Sequence, residues 1–110
     1  MRLRINERDC MRRLPKTVKV GGHTISVEQV KNLDSMGEYH RGKSTIYINK
    51  EISYQQKAAT LLHEILHVIL GEQVPDMKME KEEPLVTALE VGLFAFIKDN
   101  PKVVRYLEGA

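Results

Sequence analysis

Residues 60–72 read TLLHEILHVILGE and contain the motif HExxH, formed by His63, Glu64 and His67. On a helix the two histidines lie one above the other, because side chains recur about every 3.6 residues. Two imidazoles at that spacing can reach one zinc ion. Glu64 lies about a quarter-turn from His63, where its carboxylate can hold a water molecule and act as a general base.

The residues around the motif have the pattern of an amphipathic helix. Ser53 is followed three residues later by Gln56, a capping-box pattern that predicts a helix from about residue 54 to residue 70, with Gly71 ending it. Its apolar positions recur at helical spacing and are expected to face inward: Ala59, Leu62, Leu66, Ile69 and Leu70. The two histidines border this stripe, so we expect them to face a cleft beside the core.

The segment before the motif helix has the pattern of a small sheet. Gly21 and Gly22 stand between two alternating segments, which predicts a β-hairpin. In a later strand, Ile46 and Ile48 would face the core and Tyr47 the opposite side. The predicted strands lie near residues 16–20, 23–30, 38–40 and 44–49.

A second long helix is predicted after a polar connection that contains Pro75. It begins at about residue 82, since Pro84 is tolerated in the first turn of a helix, and it continues to residue 99. Its strongly apolar sequence predicts packing against the motif helix. Asn100 and Pro101 then end it and begin a short terminal helix over residues 101–108.

The size and composition of the chain limit its class. With 110 residues, 42% of them hydrophobic and 29% charged, residues 1–110 are expected to form one domain. The fold class is α+β: an antiparallel or mixed sheet of about three to four strands packed on the HExxH helix and on a second, glutamate-bearing helix.

Charge and cysteine content exclude several alternatives. No apolar run approaches the roughly 20 residues that cross a bilayer, and residues 1–4 do not resemble a secretory signal, so a cytoplasmic protein without a membrane partner is predicted. A net charge of +2 is too small to indicate a nucleic-acid partner by itself, and the arginine-rich N-terminus is interpreted as a solvated or frayed segment, so no nucleic-acid partner is predicted. The single cysteine, Cys10, cannot build a cysteine-based zinc site, so zinc would need histidine and carboxylate ligands.

Three glutamates on or just before the second helix could complete a metal site: Glu82, Glu83 and Glu90. An antiparallel helix after a short connection brings its early residues to the height of His67. Glu90 lies seven residues beyond Glu83, about 10 Å along the axis, on the same face. For all three, the alternative interpretation is a solvated acidic helix start that complements the helix dipole, and this suits Glu82 best. Spacing alone does not show which of the three glutamates would be the third metal ligand.

Two segments, TLLHEILHVIL at residues 60–70 and EPLVTALEVGLFAFIKDNP at residues 83–101, resemble the small gluzincin metallopeptidases. That group includes phage-associated and ImmA/IrrE-like proteins and minimal forms called minigluzincins. The resemblance is specific over residues 44–101 and faint before them. It implies a zincin-like fold, in which Zn²⁺ is held by the two motif histidines and a glutamate of the second helix.

The resemblance assigns the third ligand to Glu83. In the family pattern a glutamate is followed three residues later by an apolar residue and then by Ala-Leu and Gly-Leu, which Val86, residues 88–89 and residues 92–93 match. Pro84, directly after Glu83, departs from that pattern. The implied activity is that of a zinc metallopeptidase with ligands His63, His67 and Glu83, general base Glu64, and narrow specificity or latency.

A protein or peptide substrate is expected to bind in extended form along an exposed edge strand, either residues 38–40 or residues 45–49. Candidate donors to the oxyanion are Tyr39, His40, Tyr47 and Tyr54. In a latent form, residues 102–110 would lie in the cleft. The alternative function is a zinc-stabilised protein-binding or regulatory module without turnover.

Overall fold

The structure is a computed structural model, and it describes residues 13–110. Cys10 and nearly all of the arginine-rich N-terminus lie outside the described residues. Within residues 13–110, the strands are Thr17–Val20 (β1), His23–Val30 (β2), Gly37–His40 (β3) and Thr45–Asn49 (β4). The α-helices are Tyr54–Gln73 (α1), Met79–Asp99 (α2) and Pro101–Glu108 (α3), and a short 3-10 helix spans Arg41–Lys43.

The four strands form one mixed sheet in the order β1-β2-β4-β3. β2 and β4 run parallel, whereas β1 with β2 and β3 with β4 are antiparallel. The predicted α+β class and the mixed sheet are therefore confirmed. β4 pairs on both sides, so the prediction that residues 45–49 could be an exposed edge is wrong. Of the two segments considered, Gly37–His40 is the one at an edge.

The predicted hairpin joins β1 to β2. Val20 pairs with His23 across the turn, and Gly21 and Gly22 have φ angles of 57° and 86°. Positive φ at both central residues is the geometry of the tight turn whose twist matches the flanking strands, and glycine adopts it without steric cost. The hairpin prediction is confirmed.

The core lies between the sheet and α1. Ile46 and Ile48 of β4 are fully buried, and Tyr47 points to the other face, where its ring contacts the ring of His40. This alternation was predicted and is confirmed. The buried core cluster also contains side chains from β1, β2 and α1: Val20, Ile25, Val27 and Val68.

Helix α1 begins as predicted and ends later. The hydroxyl of Ser53 accepts a hydrogen bond from the Gln56 backbone N–H at 3.1 Å, and the Gln56 side chain accepts one from the Ser53 N–H at 2.9 Å, so the capping box is complete. The predicted stop at Gly71 is wrong. The N–H of Val74 donates to the Leu70 carbonyl, and the helix ends just before Pro75, which disfavours helical geometry in the residue preceding it.

The inward face of α1 also differs from the predicted stripe. Leu61, Ile65 and Val68 pack into the sheet-side core, while Ile69 is 38% exposed. Leu66 is buried, as predicted. Because α1 packs against both the sheet and α2, it has two apolar faces, which a one-dimensional pattern cannot separate.

Helix α2 begins at Met79, three residues before the predicted start at residue 82. Glu80 and Glu82 in its first turn complement the helix dipole, which favours the earlier start. Pro84 consequently lies inside the helix and not in its first turn. The terminal helix α3 matches its predicted bounds. In the described part of the chain, no helix combines the length and apolar character needed to cross a membrane.

Candidate metal centre

The two motif histidines project from the same face of α1. The ring centroids of His63 and His67 are 4.9 Å apart, with the planes inclined at 65°. Helix α2 packs alongside α1, after a connection of only five residues between the two helices. This places the early part of α2 next to both imidazole rings.

Glu83 of α2 faces both rings at once. One of its carboxylate oxygens is 2.9 Å from His63 Nε2, and the other is 2.8 Å from His67 Nε2. His63, His67 and Glu83 each offer one ligand atom, and these atoms lie within 4.8 Å of one another. Their arrangement is that of a group that could hold one metal ion.

The other two glutamates contact the far side of each imidazole. His63 Nδ1 lies 2.9 Å from Glu90 Oε1, and His67 Nδ1 lies 2.5 Å from Glu82 Oε2. An ionised carboxylate can only accept a hydrogen bond, so each Nδ1 donates. Each Nε2 is then the nitrogen directed at the common site, the arrangement by which carboxylates orient metal-binding histidines.

The interpretation of Glu82 as solvated is therefore wrong, although Glu82 does lie in the acidic first turn of α2. Glu82 is only 7% exposed and is bonded to His67. Adjacent helical residues point about 100° apart, so Glu82 and Glu83 can reach opposite nitrogens of one ring. The sequence shows that Glu82 and Glu83 are adjacent. It does not show the orientation of the His67 ring, which lets each carboxylate contact a different ring nitrogen.

Burial and nearby charge shift the pKa of Glu64 in opposite directions. Its side chain lies in a residue that is only 8% exposed. Burial raises its pKa by disfavouring the ionised form, and the nearby His63 and His67 rings partly oppose this. For His63, burial by itself lowers the pKa. The hydrogen bond to Glu90 and the charges of Glu64 and Glu83 outweigh burial, so the pKa of His63 is raised overall.

Two cavities flank the centre, and strand β3 borders both. The larger, of about 610 Å³, includes Tyr39 together with His67 and Glu83. The smaller, of about 380 Å³, includes Gly37 together with His63, Glu64, Glu90 and residues of α1. The edge strand β3 therefore runs past the three candidate ligands.

Gly37 allows this close approach of β3 to α1. A Cβ atom at residue 37 would lie 2.5 Å from Thr60 Cγ2 and 2.9 Å from the Tyr47 carbonyl oxygen, both closer than van der Waals contact permits. Thr60 is in the helical turn before His63. A side chain at residue 37 would push the edge strand away from the motif.

The four candidate oxyanion donors are dispersed. Tyr39 lines the larger cavity with His67. His40 is 2.8 Å from the Glu38 carboxylate and contacts Tyr47 on the outer side of the sheet. Tyr54 begins α1, about 14 Å along the axis from His63. The structure brings Tyr39 to the cleft and places the other three elsewhere.

The C-terminal segment is not in the cleft. Residues 101–108 form α3, which packs on α2, and no residue of this segment lines either cavity. The latent arrangement predicted for residues 102–110 is not observed. Latency of that kind would require α3 to leave α2.

A helix with paired histidines, facing a glutamate-bearing helix beside a mixed sheet, defines a zincin-like metallopeptidase domain. The family model of Peptidase M78, described as the IrrE N-terminal-like domain, matches residues 21–92 of the 110. The chain belongs to this family, and the ImmA/IrrE-like resemblance is confirmed. The match begins at the hairpin turn, well before the segment in which the resemblance was specific. No curated protein and no solved structure matches the chain.

Proposed function

We propose that the protein is a zinc-dependent, gluzincin-type peptidase in which His63, His67 and Glu83 hold Zn²⁺ and Glu64 is the general base. One observation carries this proposal. The Nε2 atoms of both histidines converge on the two oxygens of Glu83, while a separate carboxylate engages each Nδ1.

The donor set suits zinc. Two imidazole nitrogens and one carboxylate oxygen are the protein ligands of thermolysin-type sites, which leave a further coordination position open. When bound, zinc would supply a Lewis acid that activates water and polarises a peptide carbonyl. Glu82 and Glu90 keep each imidazole oriented with Nε2 toward the ion, so the chain orients the ligands itself.

Glu64 has the position and the environment of a general base. It shares the wall of the smaller cavity with His63 and Glu90. Burial raises the pKa of its carboxyl group by disfavouring the ionised form, which makes the carboxylate a stronger base. Its carboxylate would accept a proton from water and deliver it to the leaving amine.

The substrate would be a protein or peptide segment in extended form, bound alongside β3. This strand is at an edge of the sheet and borders both cavities, so main-chain hydrogen bonds to it would carry the peptide past Glu64 and Glu83. Tyr39 would then be the candidate donor to the developing oxyanion. Because the edge strand is short and the domain is small, few contacts with a substrate are available. We therefore expect the peptidase to act on a narrow range of targets.

Removal of the metal tests the activity. Protein treated with a chelator should lose cleavage of a peptide library, and stoichiometric zinc should restore it, with new termini identified by mass spectrometry. Persistent cleavage by protein that elemental analysis shows to be metal-free would contradict the proposal. Zinc-loaded protein that cleaves no peptide would favour the protein-binding module instead.

The orienting glutamates provide a second prediction. Glu90→Gln keeps the size of the side chain but removes the charge that makes His63 more basic, so zinc affinity should fall about tenfold or more. Competition with a chromophoric chelator measures this. Glu80→Gln, at an exposed position in the first turn of α2, is the matched control and should keep the affinity. Equal zinc affinities of Glu90→Gln and Glu80→Gln would show that Glu90 does not support the metal site.

A further inference from the structure

Helix α2 has an uncovered apolar face on the side opposite Val86 and Glu90. Val86 is fully buried, whereas Leu85, Val91 and Phe96 on the outer face are 39%, 65% and 41% exposed. The smaller residues between them are exposed too: Ala88, Gly92 and Ala95. A continuous apolar helix face of this kind is typical of an interaction site.

The positions along the centre of this face follow a heptad-like repeat. They are Lys81, Leu85, Ala88, Gly92, Ala95 and Asp99, at successive spacings of four, three, four, three and four residues. This spacing forms a seam along which another helix can pack. The seam is symmetrical about residue 90, because each position on one side has a counterpart at the same distance on the other.

The symmetry fits a second copy of the same helix in antiparallel orientation. In such a pair Leu85 shares a layer with Ala95 of the second copy, so a large side chain meets a small one. Ala88 shares a layer with Gly92, and both of these residues are small. A two-fold axis repeats every such contact, as an isologous interface requires. The small residues allow the helix axes to approach to about 8 Å.

The charges at the two ends of this face also favour a second copy of α2 in antiparallel orientation. Lys81 and Asp99 are both exposed and terminate the seam at opposite ends. In an antiparallel pair, Lys81 of each copy faces Asp99 of the other, which gives two favourable contacts. In a parallel pair, each would face its own counterpart and repel it.

We propose that the face of α2 formed by these residues is the interface of an antiparallel homodimer, which we call the α2 seam. The proposal does not depend on peptidase activity. Because the seam lies opposite the face that carries Glu83 and Glu90, both metal centres would remain open in the dimer. The seam is about 27 Å long, and an interface of that size is small, so the dimer should depend on protein concentration.

Sedimentation of the purified full chain over a concentration series tests the interface. Gly92→Glu should weaken dimerisation at least tenfold by placing a charge in the seam. An added Cβ at Gly92 meets nothing within 4 Å, and glutamate favours helix over glycine, so the variant should fold, as circular dichroism would show. Gly42→Glu in the 3-10 helix, another exposed glycine whose Cβ meets nothing within 4 Å, is the matched control and should dimerise normally.

A charge exchange tests the orientation. Lys81→Glu and Asp99→Lys should each weaken the dimer several-fold, and the double variant should regain the wild-type dissociation constant to within about twofold. A monomer at every concentration, or a dimer unaffected by Gly92→Glu, would overturn the proposal. Failure of the double variant to recover would overturn the antiparallel arrangement.

Discussion

Glu64→Gln is expected to leave zinc bound and to lower peptide cleavage about a thousandfold. Glutamine has nearly the same shape as glutamate, but its amide cannot accept the proton of the attacking water. Glu64 is 8% exposed, and burial raises its pKa because ionisation there is unfavourable. The neutral amide removes that cost, so the thermal midpoint of the variant should not fall.

The measurements are kcat/KM on a cleaved peptide and zinc per chain by elemental analysis. Glu28→Gln is the matched control: Glu28 is exposed on β2, and its substitution should change neither quantity. A Glu64→Gln protein that cleaves as fast as wild type would refute the role of Glu64 as base. Loss of zinc from the variant would instead assign Glu64 to metal binding.

His63→Ala is expected to lower zinc affinity at least about a hundredfold, because a catalytic zinc site has only three protein ligands to share its binding free energy. The variant removes one of three proposed ligands, and it also leaves Glu90 without the imidazole that it engages at 2.9 Å. Peptide cleavage should be lost with the metal. Added zinc in large excess should restore cleavage only partly, because the ligand geometry is incomplete.

His40→Ala is the matched control for this variant. His40 also contacts a carboxylate, with its Nε2 2.8 Å from Glu38 Oε1, but it lies outside the group of residues that could hold a metal. Zinc titrations of the two variants should therefore differ, with His40→Ala retaining wild-type affinity. Equal zinc binding by His63→Ala and wild type would show that His63 is not a ligand.

Much of the fold was predictable because its signals are local. The capping box at Ser53, the Gly21-Gly22 turn and the alternation around Tyr47 all involve residues within a few positions of each other. The predictions were wrong where a tertiary contact overrode a local sequence preference. Gly71 has a helix-ending preference, but α1 continues to Gln73, and the apolar pattern of α1 combined two faces that pack against different partners.

The candidate site was predictable in part for the same reason. The spacing of His63 and His67 on one helix is a local property, and so is the position of Glu64 between them. The different roles of Glu82, Glu83 and Glu90 are not local. Their contacts with the two imidazoles join residues 15, 16, 20 and 27 positions apart, and helix periodicity on α2 cannot show which ring nitrogen each carboxylate meets.

The sequence by itself determined that this protein has an HExxH helix, a β-hairpin and a glutamate-bearing second helix, because short-range hydrogen bonding and side-chain periodicity specify each of them. Only the tertiary structure decided that β4 is central and β3 is the edge beside the motif. It alone also decided that Glu83 faces both Nε2 atoms while Glu82 and Glu90 contact the Nδ1 atoms. These features depend on how α1 packs between the sheet and α2, and that packing is set by contacts between distant parts of the chain.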